Sequence, residues 1–386
     1  MSGPDGLPPA EFHARRDRAQ AAMRQEGLAA MLLTTEADLR YFTGFLTRFW
    51  ESPTRPWFLV LPAAGDPVAV IPSIGAHLMG RTWISDIRTW RSPNYTDDGI
   101  GLLAATLAEL VPAGERIGTP SGQETQLRMP LDSWAALQAR LPRHRFTGDA
   151  GILRRLRMVK SPAEVERIRA ACAVAGRAFA RVPEVVHRGL PLSEVFRRFQ
   201  VLCLEEGADF VPYLAGAAAP GGYGDVISPA DDRPLAAGDA LMLDTGLIRQ
   251  GYFCDFDRNF SVGPAAPEVR DAHARLIEAT RAGFDAARPG ATAADLYRAM
   301  DRVLTGGAGG GDAGRLGHGL GLQLTEPPSL IPADDTVLEP GMVLTLEPGI
   351  DLAPGRIMVH EENIVVGTQG AAWLSPPASP GIVELP

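Results

Sequence analysis

The amino-acid sequence predicts an α+β protein in which a smaller α/β domain precedes a larger domain. Three observations support this prediction. The chain has 386 residues, a length that favours two domains. Helix-like and strand-like segments alternate in its first part, whereas its second part combines helices with hairpin-like strands. Between them, Ser161–Glu164 has the pattern of a helix start, with a capping Ser, a Pro in the first turn and a Glu three residues later. We therefore predict domains at 1–155 and 156–386.

Local patterns define the elements of the N-terminal domain. An arginine- and alanine-rich stretch with helical apolar spacing opens it, and short apolar runs bounded by turn residues follow. The predicted helices are Glu11–Glu26, Gly101–Leu110 and Asp132–Leu141. The predicted strands lie in LAAMLLTT, WFLVLP, PVAVIP and RIGTP.

The same reasoning gives the elements of the C-terminal domain. The predicted helices are Ser161–Val182, Leu192–Glu206, Pro267–Ala287 and Ala293–Leu304. The predicted strands lie in ALMLDTG, GYFCDFDRNFSV, GMVLTLEPGI and ENIVVG. The glycine-rich stretch 306–314 is predicted to be a flexible loop, because no strand precedes it and no lysine closes it as in a phosphate-binding loop.

Composition and charge exclude several classes of protein. With 45% hydrophobic and 22% charged residues, the chain has an ordinary globular composition. A net charge of −9 argues against nucleic-acid and anionic-membrane partners. We find neither an apolar run of about 18 residues, as a membrane span needs, nor an apolar signal core at the start. The scattered Cys172, Cys203 and Cys254 do not form a disulfide framework, so we expect a cytoplasmic protein.

Five side chains stand where strands or glycine-bounded turns would bring them together. Asp244, Glu347 and Glu361 each adjoin an apolar strand, Asp255 lies in GYFCDFDRNF, and His318 lies in RLGHGLGL. A buried carboxylate costs several kcal/mol unless it is paired or bound to a metal. The chain has a single lysine, and no arginine adjoins these strand ends. Each acid alone could be only a turn or cap residue. For five such residues together this alternative is less economical than a shared site, so we predict a metal site.

The donor atoms predict the kind of metal. Four carboxylates and one neutral imidazole supply four negative charges. Two divalent ions would balance these charges while holding a bridging hydroxide between them. Oxygen-rich ligands with one histidine favour Mn²⁺, with Co²⁺ or Zn²⁺ as alternatives.

The motifs around these residues resemble a known family. DTG, GY–CD–R–F, GHGLGL, EPGMVLTLEPG and HEENIVV are similar to the metallopeptidase family of Xaa-Pro aminopeptidases, prolidases and methionine aminopeptidases, whose fold creatinase shares. YFTGF and MVKSPAEVERIRAA resemble the two-domain branch of that family. The resemblance implies a pita-bread catalytic domain after a ribonuclease H-like α/β domain, and a homodimer. It also implies that the metal ligands are Asp244, Asp255, His318, Glu347 and Glu361, with Glu347 nearest the bridging water as the catalytic acid–base.

Three positions depart from the family pattern. Thr325 stands where peptidase members have a second histidine, and no histidine occurs near Ile227, where members have another. Val359 replaces an arginine that precedes the last glutamate. Histidines at the first two positions help to hold substrate and to move protons, so their absence bears on the reaction.

Two neighbouring polar residues could take over part of that work. His360 is adjacent to Glu361 and would face the opposite side of a strand. It is therefore either a catalytic group that moves a proton or a residue packed behind the site. Asp257 is two residues after Asp255, so the two side chains would lie on the same face of a strand. It is either an acid of the site or a hairpin acid paired with an arginine such as Arg258.

Candidates for substrate contact flank the site motifs. Tyr213 and Tyr223 border the small-residue run LAGAAAPGG, which is either a pocket wall or a packed loop. Thr325 occupies a position that contacts substrate in the family that the chain resembles. We therefore include all three as candidate substrate-binding residues.

The predicted activity is hydrolysis of Xaa-Pro bonds in short peptides by a metal-bridged hydroxide, as an aminopeptidase or a dipeptidase. The missing histidines leave a first alternative: a metal-dependent hydrolase or lyase of a small non-peptide metabolite, as in creatinase-like or ectoine-hydrolase-like relatives. A second alternative is a catalytically silent scaffold, against which the full ligand set argues. The expected partners are thus a short proline-containing peptide or a small amide, without nucleic acid or membrane.

Overall fold

The computed structural model describes residues 6–52, 55–308 and 314–386. The chain divides into two compact units, Met1–Arg157 and Met158–Pro386. Within the described residues, no helix combines the length and the apolar character needed to cross a bilayer. Most of the predicted glycine-rich loop, 309–313, lies outside the described residues.

The first unit consists of short helices around one sheet. Its helices are α1 (Pro9–Glu26), α2 (Glu36–Thr43), α3 (Ala76–Met79), α4 (Ile100–Leu110), α5 (Leu131–Arg140) and α6 (Ile152–Met158). Its strands are β1 (Ala30–Leu33), β2 (Phe58–Pro62), β3 (Val68–Pro72), β4 (Asp86–Trp90), β5 (Arg116–Thr119) and β6 (Arg145–Gly148).

The sheet of this unit has six strands in the order β4-β3-β2-β1-β5-β6. β2 pairs antiparallel with both of its neighbours, and the other pairs are parallel. Strands that are buried on both faces consist of continuous apolar residues. All residues of β1, β2 and β3 are buried, which explains why the sequence predicts these strands clearly. Helices α4 and α5 cover one face, where Leu103, Leu107 and Leu137 join the strand residues in the core.

The second unit contains the segments that resemble the metallopeptidases. Its helices are α7 (Pro162–Ala180), α8 (Val182–Val185), α9 (Leu192–Glu205), α10 (Pro267–Ala286) and α11 (Ala293–Thr305). Its first strands are β7 (Phe210–Pro220), β8 (Asp239–Arg249), β9 (Tyr252–Phe253) and β10 (Phe256–Val262). The remaining strands are β11 (His318–Gly319), β12 (Glu326–Ser329), β13 (Val343–Leu346), β14 (Gly349–Ala353), β15 (Arg356–Val359), β16 (Glu362–Val366), β17 (Ala371–Trp373) and β18 (Val383–Leu385).

The second unit contains two five-stranded sheets. One has the order β18-β10-β8-β7 with β9 paired to β8, and the other has the order β12-β11-β13-β16-β17. β14 and β15 form a separate hairpin. Helices α10 and α11 pack together, and Leu276, Leu296 and Met300 lie with the strand residue Leu344 in the core. The α+β prediction for this part of the chain is confirmed.

The helix limits agree with the predicted ones within two residues. Ser161 accepts a hydrogen bond from the Glu164 amide, and the Glu164 side chain accepts one from the Ser161 amide, so the predicted capping box forms. Helix α7 ends earlier than predicted because Pro183 lacks the amide hydrogen that would continue it, and the short α8 follows.

The hairpin between β8 and β9 turns at Gln250 and Gly251, which have φ of 49° and 74°. Strand β7, however, was not predicted as a strand. Its Ala and Gly residues have low strand propensity, and close pairing with β8 stabilises it instead. A Cβ at Gly216 would lie 2.5 Å from the Met242 carbonyl oxygen, so this approach requires glycine.

Candidate metal centre

Five acidic and imidazole side chains come from the two large sheets of the second unit. Asp244 lies in the middle of β8, and Asp255 lies between β9 and β10. His318 begins β11, Glu347 directly follows β13, and Glu361 directly precedes β16. The ligand candidates thus lie within strands or directly beside them, where hydrogen bonds between paired strands fix the backbone.

Three of these side chains converge closely. One donor atom from each of Asp255, His318 and Glu361 lies within 4.8 Å of the other two. The Nε2 atom of His318 is 3.4 Å from Asp255 Oδ2 and 4.0 Å from Glu361 Oε1. All three residues are buried. This spacing is compatible with three ligands of one ion.

The backbone fixes the tautomer of His318. Its Nδ1 lies 2.8 Å from the carbonyl oxygen of Gly319, and a carbonyl can only accept a hydrogen bond. Nδ1 therefore carries the proton, and the lone pair of Nε2 points to the acids. Burial, together with the positive charge of Arg315, lowers the pKa of His318 to about 4. The imidazole is consequently neutral, as a metal ligand must be.

Asp244 and Glu347 join this group electrostatically. Burial raises the pKa of Asp244 well above its usual value, and the charges of Asp257 and Glu347 raise it further. Burial also raises the pKa of Asp255 and Glu361, as do the charges of Asp244 and Glu347. The four carboxyl groups thus repel one another within the cluster, to which His318 adds a neutral imidazole.

The cluster fits a divalent metal centre. Oδ1 of Asp244 and Oε1 of Glu361 are buried and have no hydrogen-bond partner among the described residues. Buried carboxylate oxygens without a donor are costly unless a cation neutralises them. Together with the free lone pair of His318, these oxygens are donors that Mn²⁺, Co²⁺ or Zn²⁺ would accept.

Asn363 holds the backbone of Asp255. Its Oδ1 accepts a hydrogen bond of 2.9 Å from the Asp255 amide, and its Nδ2 donates to the Asp255 carbonyl oxygen. The thiol of Cys172 also donates to Asn363 Oδ1, at 3.2 Å. Asn363 lies on β16, two residues after Glu361, so it connects the segments that carry two ligand candidates.

The structure places His360 beside Asp257. His360 is 1% exposed, and its Nδ1 lies 3.1 Å from Asp257 Oδ1, which also accepts the amide hydrogen of Glu361. Its Nε2 lies 3.3 Å from Glu362. Burial lowers the pKa of His360, but the two carboxylates outweigh burial and raise it overall. These contacts favour the interpretation in which His360 packs behind the site.

Within the described part of the chain, the side chain of Asp257 forms no ion pair with Arg258. In the ladder it stands opposite Asp244. Its Oδ2 is buried and lacks a hydrogen-bond partner among the described residues. The guanidinium of Arg258 instead binds the Glu362 carboxylate at 3.1 Å. The predicted alternative of an Asp257–Arg258 side-chain pair is therefore wrong, because the two side chains leave opposite faces of β10.

The candidate substrate residues lie in different surroundings. Tyr213 is half-buried on β7, and burial and the charge of Asp244 raise the pKa of its hydroxyl, which places it beside the cluster. Tyr223 is 1% exposed, and its hydroxyl donates to Asn259 Oδ1 and accepts from the Val359 amide. Tyr213 is therefore still a candidate for substrate contact, whereas the contacts of Tyr223 are internal.

The two positions of the missing histidines also differ. Thr325 is exposed, and its hydroxyl accepts a hydrogen bond of 3.3 Å from Arg315. The next residue, Glu326, is buried, and its carboxylate forms an ion pair of 3.2 Å with Lys160, the single lysine of the chain. Ile227 is 79% exposed in the turn after Asp225.

Arg315 is the functional candidate that the sequence reasoning missed. Its positive charge lowers the pKa of Asp255, Glu347 and His318. Leu316, the next residue, accepts the amide hydrogen of Glu347 at 2.9 Å. The sequence signal that could have identified Arg315 is its position three residues before His318. It was overlooked because Arg315 adjoins a glycine-rich loop and not a strand end.

Both parts of the chain match known protein families. Residues 166–369 match the description "Metallopeptidase family M24", and residues 15–159 match "Creatinase/Prolidase N-terminal domain". The chain belongs to metallopeptidase family M24. The predicted family, the two-domain pita-bread fold and the metallopeptidase class are thereby confirmed.

Individual relatives cover most of the chain. A "Probable dipeptidase PepE" of Mycobacterium bovis is 33% identical over 368 residues, which is 94% of each protein. A "Xaa-Pro dipeptidase" of Pyrococcus furiosus is 31% identical over 231 residues, 58% of this chain and 65% of the relative. The crystal structure of dipeptidase PepE from Mycobacterium ulcerans superposes with a TM-score of 0.84 at 30% identity, covering 98% of this chain and 99% of that one.

Proposed function

We propose that the chain is a dinuclear metal-dependent peptidase that hydrolyses the Xaa-Pro bond of short peptides. The observation that carries the proposal is the convergence of Asp255, His318 and Glu361 within 4.8 Å, in a buried cluster that two further acids extend. The name of the relative from Pyrococcus furiosus supports the choice of substrate.

The roles of the five residues follow from their positions. Asp255, His318 and Glu361 would hold one side of the centre, and Asp244 and Glu347 would complete it. The preferred ion is Mn²⁺, because the donors are carboxylate oxygens and one imidazole, with Co²⁺ or Zn²⁺ as alternatives. When bound, divalent ions in such a site lower the pKa of water and polarise a carbonyl oxygen.

Glu347 is the proposed proton acceptor. Burial raises its pKa to about 7, in spite of the opposing charge of Arg315. A carboxylate whose pKa lies near the working pH can take a proton from water and return it to the leaving nitrogen. Tyr213, beside Asp244, is positioned to contact substrate or to donate a hydrogen bond to it. His360 would act through Asp257, whose orientation it fixes.

Turnover of a matched peptide panel tests the proposal. The Mn²⁺-loaded enzyme should hydrolyse Ala-Pro and other Xaa-Pro dipeptides, and it should cleave Ala-Ala far more slowly. Asp255→Asn, the matched variant, should lose both metal and turnover. Equal cleavage of Ala-Pro and Ala-Ala would refute proline specificity, and inactivity on every Xaa-Pro peptide with Mn²⁺, Co²⁺ and Zn²⁺ would refute the peptidase.

Thr325 favours a second candidate, which is hydrolysis of a small non-peptide amide. A threonine hydroxyl does not ionise near neutral pH, so it cannot accept a proton and return it as a histidine in its place would. Creatine and ectoine-type amides belong in the same panel for this reason. Turnover of one of them without Xaa-Pro cleavage would establish this candidate in place of the first.

Compartment and assembly also belong to the proposal. Cys172, Cys203 and Cys254 are all buried free thiols, which supports a reducing compartment and hence the cytoplasm. A homodimer follows from the family resemblance, and sedimentation of the purified protein measures it directly.

A further inference from the structure

Glu347 and Glu361, two of the ligand candidates, are joined by one hairpin. The chain leaves Glu347 through Pro348, forms β14 and β15, and reaches Glu361 after His360. The amide of His360 donates to the carbonyl oxygen of Pro348 at 3.0 Å, which closes the base of the hairpin. The position of this hairpin therefore helps to set the separation between the two carboxylates.

The hairpin needs contacts from other segments to hold its position. β14 and β15 form a two-stranded sheet of their own, and an isolated two-stranded hairpin is at best marginally stable in water. One set of contacts comes from the loop 221–223. A Cβ at Gly222 would lie 3.0 Å from the carbonyl oxygen of Ile357, so the loop packs directly against β15.

Tyr223 holds β15 by its backbone and by its side chain. Its amide donates to the Ile357 carbonyl oxygen at 3.0 Å, and its carbonyl oxygen accepts the Ile357 amide hydrogen at 2.8 Å. Its buried hydroxyl accepts the Val359 amide hydrogen at 2.7 Å and donates to Asn259 Oδ1 at 3.1 Å. A hydroxyl has one hydrogen to donate, so Asn259 occupies the donor that a substrate would otherwise use.

Three hydrogen-bonded pairs connect β10 and the residue before it to the segment 359–363. In each pair a side chain bonds to a backbone group. The pairs recur at every second residue of both segments and join Asn259 to Val359, Asp257 to Glu361 and Asp255 to Asn363. We call these three pairs the polar seam. Its outer pair is Asn259 Nδ2 with the Val359 carbonyl oxygen, at 2.7 Å.

We propose that Tyr223 and Asn259 are positioning residues of the metal centre, because together they fix the backbone of Val359, two residues before Glu361. The inference rests on the metal centre of the proposed function, and it adds two residues that touch neither metal nor substrate. Tyr223 binds the Val359 amide and Asn259 binds the Val359 carbonyl oxygen. If these bonds are lost, the hairpin and the segment that carries Glu361 shift relative to Asp255.

Metal affinity and the EPR spectrum of bound Mn²⁺ test the proposal. Tyr223→Phe removes only the hydroxyl. Its Mn²⁺ affinity, measured by competition with a fluorescent chelator, should fall about 10-fold, as is typical when a residue that orients a ligand is lost. The EPR spectrum, which responds to ligand geometry and to the spacing of neighbouring ions, should change as well.

Turnover separates positioning from substrate contact. At saturating Mn²⁺, kcat of Tyr223→Phe for Ala-Pro should fall about 10-fold, because the ligands are misplaced. KM should change less than about threefold, because the hydroxyl does not touch the substrate.

Three variants serve as controls. Asn259→Ala removes the other half of the clamp and should reproduce the loss of affinity. The double variant should lose little more than the stronger single variant, since both residues act through Val359. Tyr41→Phe, in the first unit, removes a buried hydroxyl that donates to the Leu156 carbonyl oxygen at 3.2 Å. It should lower the melting temperature and leave Mn²⁺ affinity and the EPR spectrum unchanged.

The outcomes separate this role from the function on which it rests. Wild-type affinity and an unchanged EPR spectrum in both Tyr223→Phe and Asn259→Ala overturn the positioning role. A higher KM at unchanged metal affinity also overturns it and makes Tyr223 a substrate-contact residue, and losses that multiply in the double variant overturn the shared clamp. If wild type binds Mn²⁺ but cleaves no Xaa-Pro peptide, the peptidase is overturned, whereas the affinities still decide the role of Tyr223.

Discussion

Asn363 holds the backbone of Asp255 on both sides of its Cα: its Oδ1 accepts the Asp255 amide hydrogen at 2.9 Å, and its Nδ2 donates to the Asp255 carbonyl oxygen. The two residues are 108 positions apart in the chain and belong to segments of different sheets. The side-chain amide of Asn363 therefore helps to set the separation between the Asp255 and Glu361 carboxylates, together with the bond from the Glu361 amide to Asp257.

Replacing Asn363 by alanine should weaken metal binding without removing a ligand. We expect a loss of about 10- to 100-fold in metal affinity, which is typical when the partner of a ligand is removed. Competition with a fluorescent chelator measures it. Ser375→Ala, which removes the hydroxyl that accepts the Asn363 amide hydrogen, is a milder control. Unchanged affinity in Asn363→Ala would show that the strands alone place Asp255.

Glu361→Gln should have opposite effects on metal content and on metal-free stability. It removes a ligand, so metal content and turnover should fall to background. It also removes one of several mutually repelling buried charges, so the metal-free variant should melt at a higher temperature than metal-free wild type. Elemental analysis and scanning calorimetry in EDTA measure the two effects. A lower melting temperature in EDTA would contradict the electrostatic account.

The stability of the metal-free protein should fall as the pH rises through the range in which Glu347 ionises. Burial raises its pKa from 4.5 to about 7, so the folded state holds this proton more tightly than the unfolded state does. The contribution to stability is therefore present below pH 4.5 and is lost as the pH rises to about 7, with a magnitude of about 3 kcal/mol. Denaturant unfolding in EDTA between pH 5 and 8 measures it. Glu347→Gln should flatten this part of the curve, and identical curves for the two proteins would refute the assignment.

His360→Ala should destabilise the fold more than it slows chemistry. The variant leaves Asp257 buried without its imidazole partner, and breaking a buried pair in this way costs about 3–5 kcal/mol. Chemical denaturation measures the loss. In variant protein that is fully loaded with metal, kcat should fall less than about threefold. A fall of 100-fold at full metal content would instead make His360 a proton-transfer residue.

The sequence alone predicts the fold and the ligand candidates because both depend on local patterns. Apolar strands, the Ser161 capping box and the turn at Gly251 are each encoded within a few residues, and so are the motifs around Asp255 and His318. Strand β7 escaped prediction because it is stabilised by its partner strand and not by its own composition.

Contacts between distant segments could not be predicted in the same way. The bonds from Asn363 to Asp255 and from His360 to Asp257 depend on how two sheets meet, and neither residue type signals its partner. Arg315 was missed for a related reason. Its effect on Glu347 arises because β11 and β13 are neighbours, which places residue 316 against residue 347.

The buried oxygens of Asp244 and Glu361, which have no hydrogen-bond partner among the described residues, would make the lifetime of this protein depend on the supply of metal. Ions that bind the folded chain more tightly than the unfolded chain add about 1.4 kcal/mol of stability per site for each tenfold rise above their dissociation constant. A cell short of the ion would hold a larger unfolded fraction and degrade the enzyme faster. Abundance, and not only activity, would then report how much metal the cell contains.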